Sequence, residues 1–194
     1  MSNITENMNI DADLPLVQKA KDGDQKAFTQ LVTIHKRRIF GLILKMVRNS
    51  EDGQDLSQET FVKAYRGLED FKGESSFKTW ITKIAINLCI NFNRKRNLRS
   101  FVSLFDLAQP LVASDSPVRE QERNQISCAI DQAVLRLPPK QKTVFVLRYY
   151  QKLSYEEISQ ITGKSVGGLK ANYFQAIRKL RKFLSGYLSQ DAFA

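Results

Sequence analysis

The chain has 194 residues, 42% of them hydrophobic, which suffices for one larger domain or two small domains with real cores. This composition argues against a disordered chain and against a collagen-like fibre. Thirty Lys and Arg against twenty Asp and Glu leave a net charge of +10, which favours a polyanionic partner, either nucleic acid or an anionic membrane surface.

The sequence predicts a cytoplasmic protein that does not insert into a membrane. The apolar run from Ile39 to Leu44 ends at Lys45, far short of the roughly 20 residues of a membrane-spanning helix. The first 24 residues carry five acidic residues and two lysines, the opposite of a signal peptide. Cys89 and Cys128 fit neither a disulfide framework nor a zinc finger, so both are expected as reduced thiols.

Residues 1–24 are predicted as an acidic segment with a short first helix, and residues 25–96 as a helical bundle. Asp24 is the predicted N-cap of a long amphipathic helix. A second helix is predicted from Asp52 to Leu68, and a third from Ser75 to about Arg96. The long helix carries seven apolar residues at helical spacing: Phe28, Leu31, Val32, Ile39, Leu42, Ile43 and Met46.

Residues 97–118 contain Pro110 and Pro117 and show no sustained helical period, which predicts a linker between two modules. Residues 119–188 form the second module and residues 189–194 a tail. No convincing strand alternation occurs. The predicted fold class is therefore all-α, with two small helical domains joined by a flexible linker.

The second module has the pattern of a helix-turn-helix. Pro138 and Pro139 can end one helix and begin the next. Ser154 and Glu157 form a capping box that starts a short helix, and Thr162-Gly163-Lys164 then supplies a tight turn. The final helix carries an apolar stripe made of Val166, Leu169, Tyr173, Ile177, Leu180 and Leu184. A short helix, a glycine turn and a longer basic helix are typical of a DNA-binding helix-turn-helix.

If that stripe faces the core, the opposite face of the final helix carries small side chains near its start and cationic side chains near its end. This suits a helix that enters a major groove, where amides read base edges and cations meet phosphates. The alternative is a solvated basic face on an ordinary core helix. The candidate contact residues are Lys164, Ser165, Gly168, Lys170, Ala171, Asn172, Gln175, Arg178, Lys179 and Lys182.

A second basic region spans residues 71–99, with seven basic residues and one acidic residue. The segment before the third helix interleaves aromatics, Lys and Gly, which can accommodate unstacked bases of a single strand. Phe77 and Trp80 fall on the apolar arc and are expected in the core. The candidate contacts are Phe71, Lys72, Gly73, Glu74, Ser75, Ser76, Lys83, Asn87, Asn91, Arg94, Lys95 and Arg96, although a basic helix end can also be merely solvated.

Asp52, Asp55 and Glu59 give the second helix one acidic face. No histidine or glycine-shaped loop accompanies them, so docking of a basic partner or simple solvation is expected rather than metal or acid–base chemistry. His35, the only histidine, lies in an apolar stripe, where packing or an interface contact is expected rather than catalysis. With no phosphate-binding loop either, the sequence predicts neither an enzyme nor a cofactor.

Four segments together resemble the sigma-70 family of bacterial RNA polymerase initiation factors. They are Asp55–Tyr65, Phe71–Asn87, Leu137–Gln141 and Leu153–Ile158, in this order and at compatible spacing. The resemblance is to the small extracytoplasmic-function (ECF) type, which retains only the second and fourth conserved domains.

The resemblance implies that the chain recruits core RNA polymerase to promoters and promotes melting. Residues 25–96 would be domain 2, and residues 119–188 domain 4. The segment containing Asp52, Asp55, Leu56, Gln58 and Glu59 would dock on the clamp helices of the largest polymerase subunit. The loop and third helix would capture a flipped base of the single-stranded −10 element. The helix-turn-helix would read the duplex −35 element, while the helices before it bind the polymerase flap.

Other interpretations stay open at this point. A conventional helix-turn-helix regulator would bind operator DNA through the second module and use the first for dimerisation or ligand sensing. A protein-binding scaffold with incidental basic faces is a third possibility. Within the resembled family, many members are held inactive by an anti-sigma protein, which is therefore a further partner to consider.

Overall fold

The computed structural model describes residues 12–47, 49–100 and 128–191. Within these ranges every regular element is helical and no strand occurs, so the predicted all-α fold is confirmed. The first module contains helices α1 (Leu14–Lys21), α2 (Gln25–Leu44), α3 (Ser50–Arg66) and α4 (Phe77–Ser100). Met1 to Asp11, most of the predicted linker and the last three tail residues lie outside the described residues.

The start of α2 follows the prediction. The Asp24 carboxylate accepts hydrogen bonds from the backbone N–H groups of Lys26 and Ala27, at 2.8 and 3.2 Å. These bonds satisfy two donors that have no partner within the helix.

The other boundaries in this module shift by a few residues. Helix α3 begins at Ser50 rather than Asp52, because Asn49 caps it by accepting from Glu51 N at 2.7 Å. Helix α4 begins after Ser76, whose hydroxyl accepts from Thr79 N at 3.1 Å. It continues to Ser100, so the first four residues of the predicted linker are helical.

The core of the first module lies between α2, α3 and α4. From α2 it includes Leu31, Ile39, Leu42 and Ile43, all with 0% exposure. Helix α4 contributes Phe77, Ile81 and Ala85, which are equally buried. Gly53 leaves room for Leu44 where α2 packs on α3, because a Cβ at position 53 would lie 2.8 Å from Leu44 Cδ2 and the leucine side chain would have to shift.

His35 is a core residue, as expected. Its Nε2 lies 2.7 Å from Asp13 Oδ2, and both residues are buried. Asp13 directly precedes α1, so this pair ties the start of α1 to the middle of α2. Val17 and Ala20 bury the apolar side of α1.

The second module begins, within the described residues, with α5 at 128–135. It continues with α6 (Pro139–Phe145), a π-helical turn (Val146–Tyr150), α7 (Tyr155–Thr162) and α8 (Val166–Asp191). Gly163 ends α7 with φ +66°, a left-handed conformation that glycine adopts without steric cost. The core of the second module includes Val134, Leu147, Ile158, Ile161, Leu169, Ala176 and Leu180.

The predicted capping box of α7 is present. Ser154 Oγ accepts from Glu157 N at 3.1 Å, and Glu157 Oε2 accepts from Ser154 N at 2.7 Å. Replacing Ser154 with Ala should lower the free energy of unfolding by about 1 kcal/mol, because one helix donor loses its acceptor. Urea unfolding of the full chain measures the effect, with Gln160→Ala, at an exposed position of the same helix, for comparison. An unchanged midpoint in Ser154→Ala would contradict the role of the cap.

The two modules contact each other through polar side chains. Arg38 Nη1 of α2 donates to Thr82 Oγ1 of α4 at 2.8 Å and to Gln151 Oε1 of the second module at 3.0 Å. Lys45 pairs with Asp131, which also accepts from the Tyr150 hydroxyl at 2.8 Å. Burial lowers the pKa of the Arg38 guanidinium to about 10, so this group is still charged at neutral pH.

Candidate functional site

The acidic face of α3 is exposed where the sequence placed it. Asp55, Gln58 and Glu59 are exposed, and Asp52 is half-buried. Glu59 pairs with Lys63 one turn later at 3.3 Å, and both side chains are about half exposed, so the carboxylate is accessible to a partner. Leu56 differs from its neighbours because α3 turns it inward, where it is only 6% exposed. It supports the face from beneath.

One apolar residue extends this face. Val62 is 42% exposed and lies one helical turn beyond Gln58 and Glu59. Val62 was not among the predicted contact residues, and a valine at helical spacing is by itself typical of a core. Asp52, Asp55, Gln58, Glu59 and Val62 are called the docking face below.

The segment from Phe71 to Ser76, called the capture loop below, is fixed at both ends and exposed in the middle. Phe71 differs from the expectation, because its ring is 5% exposed and packs 5.0 Å from Trp80 and 6.1 Å from Phe77, centroid to centroid. It therefore anchors the loop and has no free face for a base. Lys72, Gly73 and Glu74 are exposed, and Gly73 has φ +73°.

Ser75 and Ser76 close the capture loop. Both are half-buried. Ser76 caps α4, and its Oγ also lies 3.0 Å from Thr79 Oγ1. The start of α4 is therefore set by the same residue that ends the loop.

A polar stripe follows the loop along α4. Lys83, Asn87, Asn91, Arg94 and Lys95 are exposed, whereas Arg96 is half-buried over the Phe92 ring at 5.9 Å. From Lys83 to Arg94 the stripe runs about 16 Å at 1.5 Å per residue. Asn93 faces the protein instead and donates from Nδ2 to Met46 O at 3.1 Å. The stripe begins within two helical turns of the capture loop, and between Asn87 and Arg94 it includes one apolar residue, Ile90, which is 42% exposed.

Helix α8 presents the face that the sequence predicted. Gly168, Lys170, Ala171, Arg178 and Lys182 are exposed, and Lys164 and Ser165 are exposed just before the helix. Asn172, Gln175 and Lys179 are half-buried. Ser165 Oγ accepts from Gly168 N at 3.3 Å, so Ser165 caps the start of α8.

Asn172 is partly occupied within its own helix, because its Nδ2 donates to Gly168 O at 2.7 Å. On the inner side, Tyr173 stacks on Phe145, and Tyr155 lies beneath Lys170 Nζ at 5.8 Å. Burial raises the pKa of the Tyr173 hydroxyl, so it stays protonated.

Phe174 was missed by the sequence analysis. It is 65% exposed, the most exposed of the large hydrophobic residues in the described part of the chain. Ala171 and Arg178, one turn away on either side, belong to the predicted DNA-reading face. Its only signal was its position between Ala171 and Arg178. It was overlooked because an aromatic residue next to Tyr173 looks like part of the apolar stripe.

In the described part of the chain, no helix is long and apolar enough to cross a membrane. The same residues contain no group of three His, Cys, Asp or Glu side chains that could hold a metal ion.

Two protein families match this chain. Residues 31–99 match Sigma-70 region 2, which covers α4 with the capture loop and the docking face on α3. Residues 129–180 match Sigma-70, region 4, which covers the helix-turn-helix.

Individual relatives align over most of the chain. The RNA polymerase sigma-H factor of Pseudomonas aeruginosa is 33% identical and covers 92% of this chain and 96% of its own. The ECF RNA polymerase sigma-E factor of Haemophilus influenzae is 34% identical over 84% of this chain and 90% of its own.

The fold also matches a solved structure. The sigma factor RpoE of Bartonella quintana, solved with the anti-sigma factor NepR, superposes with a TM-score of 0.69 at 21% identity. The match covers 82% of this chain and 98% of that one. With two family matches and relatives aligned almost end to end, the chain belongs to the ECF group of the sigma-70 family and directs RNA polymerase to promoters for transcription initiation.

Proposed function

We propose that three surfaces divide the work of promoter recognition. The docking face binds the clamp helices of the largest polymerase subunit. The capture loop and the stripe on α4 bind the melted non-template strand at the −10 element. Helix α8 reads the −35 duplex, while α5 and α6 approach the polymerase flap.

The observation that carries this proposal is the exposed middle of the capture loop, held directly before a stripe of Lys83, Asn87 and Asn91. A protein that reads only duplex DNA has no use for such a site. Extruding a base from the stack costs on the order of a few kcal/mol, and a pocket that binds only the extruded base offsets that cost. Trapping the base therefore promotes melting without any chemical step, and the polymerase carries out the chemistry.

The composition of α8 supports the −35 role. Gly168 and Ala171 leave room for close approach to base edges, and Gln175 can hydrogen-bond to them. Phe174 adds an apolar surface that suits a thymine methyl group. Arg178 and Lys182, further along the helix, are placed for phosphates, where they contribute affinity without sequence information.

Phe174 and Lys182 should therefore respond differently to substitution. Phe174→Ala should lower affinity for the preferred −35 duplex about fivefold and relax the preference at one base pair, since an apolar contact is lost. Lys182→Ala should weaken binding equally on all sequences and reduce the salt slope by about one. Binding to a randomised duplex library at two salt concentrations measures both effects.

Phe183 offers a matched control for Phe174. It is also an exposed phenylalanine of α8, at 38%, and nine residues place it about 180° around the helix from Phe174. Phe183→Ala should keep the sequence preference of the wild type. Equal relaxation in both variants would contradict a reading role for Phe174.

The division of labour can be tested by giving each surface its own ligand. The three ligands are core polymerase, the single-stranded −10 sequence and the −35 duplex. Substitutions in the docking face, the stripe and α8 should each weaken binding of one ligand and leave the other two unchanged. Loss of all three affinities together would contradict separate surfaces.

The compartment and the regulator follow from the same proposal. A factor that works on RNA polymerase acts in the cytoplasm. The Bartonella relative was solved with an anti-sigma factor, which supports a similar inhibitor for this chain. Such an inhibitor would act by covering the docking face and the second module, so it would compete directly with polymerase.

A further inference from the structure

Helix α1 ends against the capture loop. Lys21, the last residue of α1, donates from Nζ to the carbonyl oxygen of Phe71 at 2.7 Å. The two residues are 50 positions apart, and the contact is partly buried. We infer that Lys21 is a positioning residue that aims the capture loop, an inference that rests on the proposed role of that loop at the −10 element.

The other contacts of Phe71 leave one of its backbone torsion angles unconstrained. Its ring is held by Trp80 and Phe77, and its N–H donates to Leu68 O at 3.1 Å. These contacts fix the ring and the chain that arrives at Phe71. The direction in which the chain leaves depends on the angle ψ of Phe71, and the carbonyl oxygen turns with that angle. By holding this oxygen, Lys21 sets the direction in which Lys72 and Gly73 project.

Helix α1 is itself held firmly enough to serve as a support. At its start, Asp13 pairs with His35, whose ring lies 5.5 Å from the ring of Phe77. Along its length, Val17 and Ala20 are buried. Both ends of α1 therefore reach the aromatic cluster at the base of the capture loop, one through His35 and the other through Lys21.

The functional consequence is preorganisation. A loop that is already aimed loses less conformational entropy when it closes around a base, so it binds the base more tightly. It also discriminates better, because a loop in many conformations can adapt to many strands.

Lys21→Met tests the inference, because methionine keeps an unbranched apolar stem and removes the donor. Lys19→Met is the matched control: Lys19 is exposed in the same helix and its loss removes the same charge. Lys21→Arg restores a donor. Backbone ¹⁵N relaxation of the full chain without DNA should show lower order parameters in residues 72–75 for Lys21→Met alone, with α3 and α4 unchanged.

The same variants are then assayed as holoenzyme on the non-template −10 strand of a promoter mapped by transcription. Lys21→Met should lower affinity about three- to tenfold, the range expected for one hydrogen bond, and should reduce discrimination against a scrambled strand. Lys19→Met and Lys21→Arg should stay within about twofold of wild type. An equal loss in both Lys→Met variants would overturn the inference, because charge alone would then explain it.

The positioning role of Lys21 and the DNA-binding role of the capture loop are overturned by different results. Unchanged order parameters in residues 72–75 of Lys21→Met would overturn the positioning role, whatever the loop binds. Lower order parameters together with a wild-type protein that transcribes but ignores the −10 strand would instead overturn the proposed role of the loop, and with it the link from Lys21 to DNA.

Discussion

Reversing the charge of Asp55 and Glu59 together, as Asp55→Lys/Glu59→Lys, should weaken binding to core polymerase on the order of 100-fold. Two attractive contacts become repulsive, and close charge pairs across an interface each couple by about 1.5 kcal/mol or more. The fold should survive, because both residues are exposed and the Glu59 pair with Lys63 is a half-exposed contact of small energy. Equilibrium titration of labelled protein with core polymerase gives the affinity.

The control for this variant is Asp22→Lys/Glu69→Lys, which makes the same change of charge at two exposed residues outside the docking face. Both double variants should bind the −35 duplex at least as well as the wild type, since the second module is untouched. An equal loss of polymerase affinity in the two double variants would mean that net charge, and not the docking face, controls the interaction.

Asn87→Ala should slow open-complex formation on a duplex promoter by about tenfold or more, the range expected for one base-specific contact. Asn87 is exposed in the middle of the stripe, so its amide is available to a captured base and its loss should not alter packing. Permanganate reactivity of the melted strand, followed over time, measures the rate. On a template with the −10 region already unpaired, the variant should recover most of the wild-type rate.

Asn93→Ala provides the complementary control. It removes the same side chain from the same helix, but the Asn93 amide donates to the Met46 carbonyl inside the protein. This variant should lose stability in urea and keep its rate of melting, whereas Asn87→Ala should do the reverse. Normal melting by Asn87→Ala would mean that the stripe does not capture the base.

The parts of the fold that the sequence predicted well are those controlled by local chemistry. The Asp24 cap, the capping box at Ser154 and the glycine turn at Gly163 depend on residues only a few positions apart. The faces of α3 and α8 follow from helical periodicity. Most residues of these two exposed faces were therefore accessible from the sequence, with Val62 on α3 and Phe174 on α8 as the exceptions.

The parts that were missed depend on contacts between distant residues or on a choice between equivalent neighbours. Ser75 and Ser76 are chemically identical, and only the path of the chain decides that Ser76 caps α4. Phe71 looked accessible beside Lys72, but the cluster with Trp80 takes its ring into the core. The contact of Arg38 with Gln151 joins residues 113 positions apart, which no periodicity can reveal.

Run-off transcription with purified core RNA polymerase on a pool of genomic fragments, with and without this protein, tests promoter-specific initiation most directly. Transcripts should start at discrete sites only when the protein is present, and their upstream sequences should share a −35 and a −10 element. Specific DNA binding by the protein alone, without any such transcripts, would contradict promoter-specific initiation and would favour a conventional helix-turn-helix regulator.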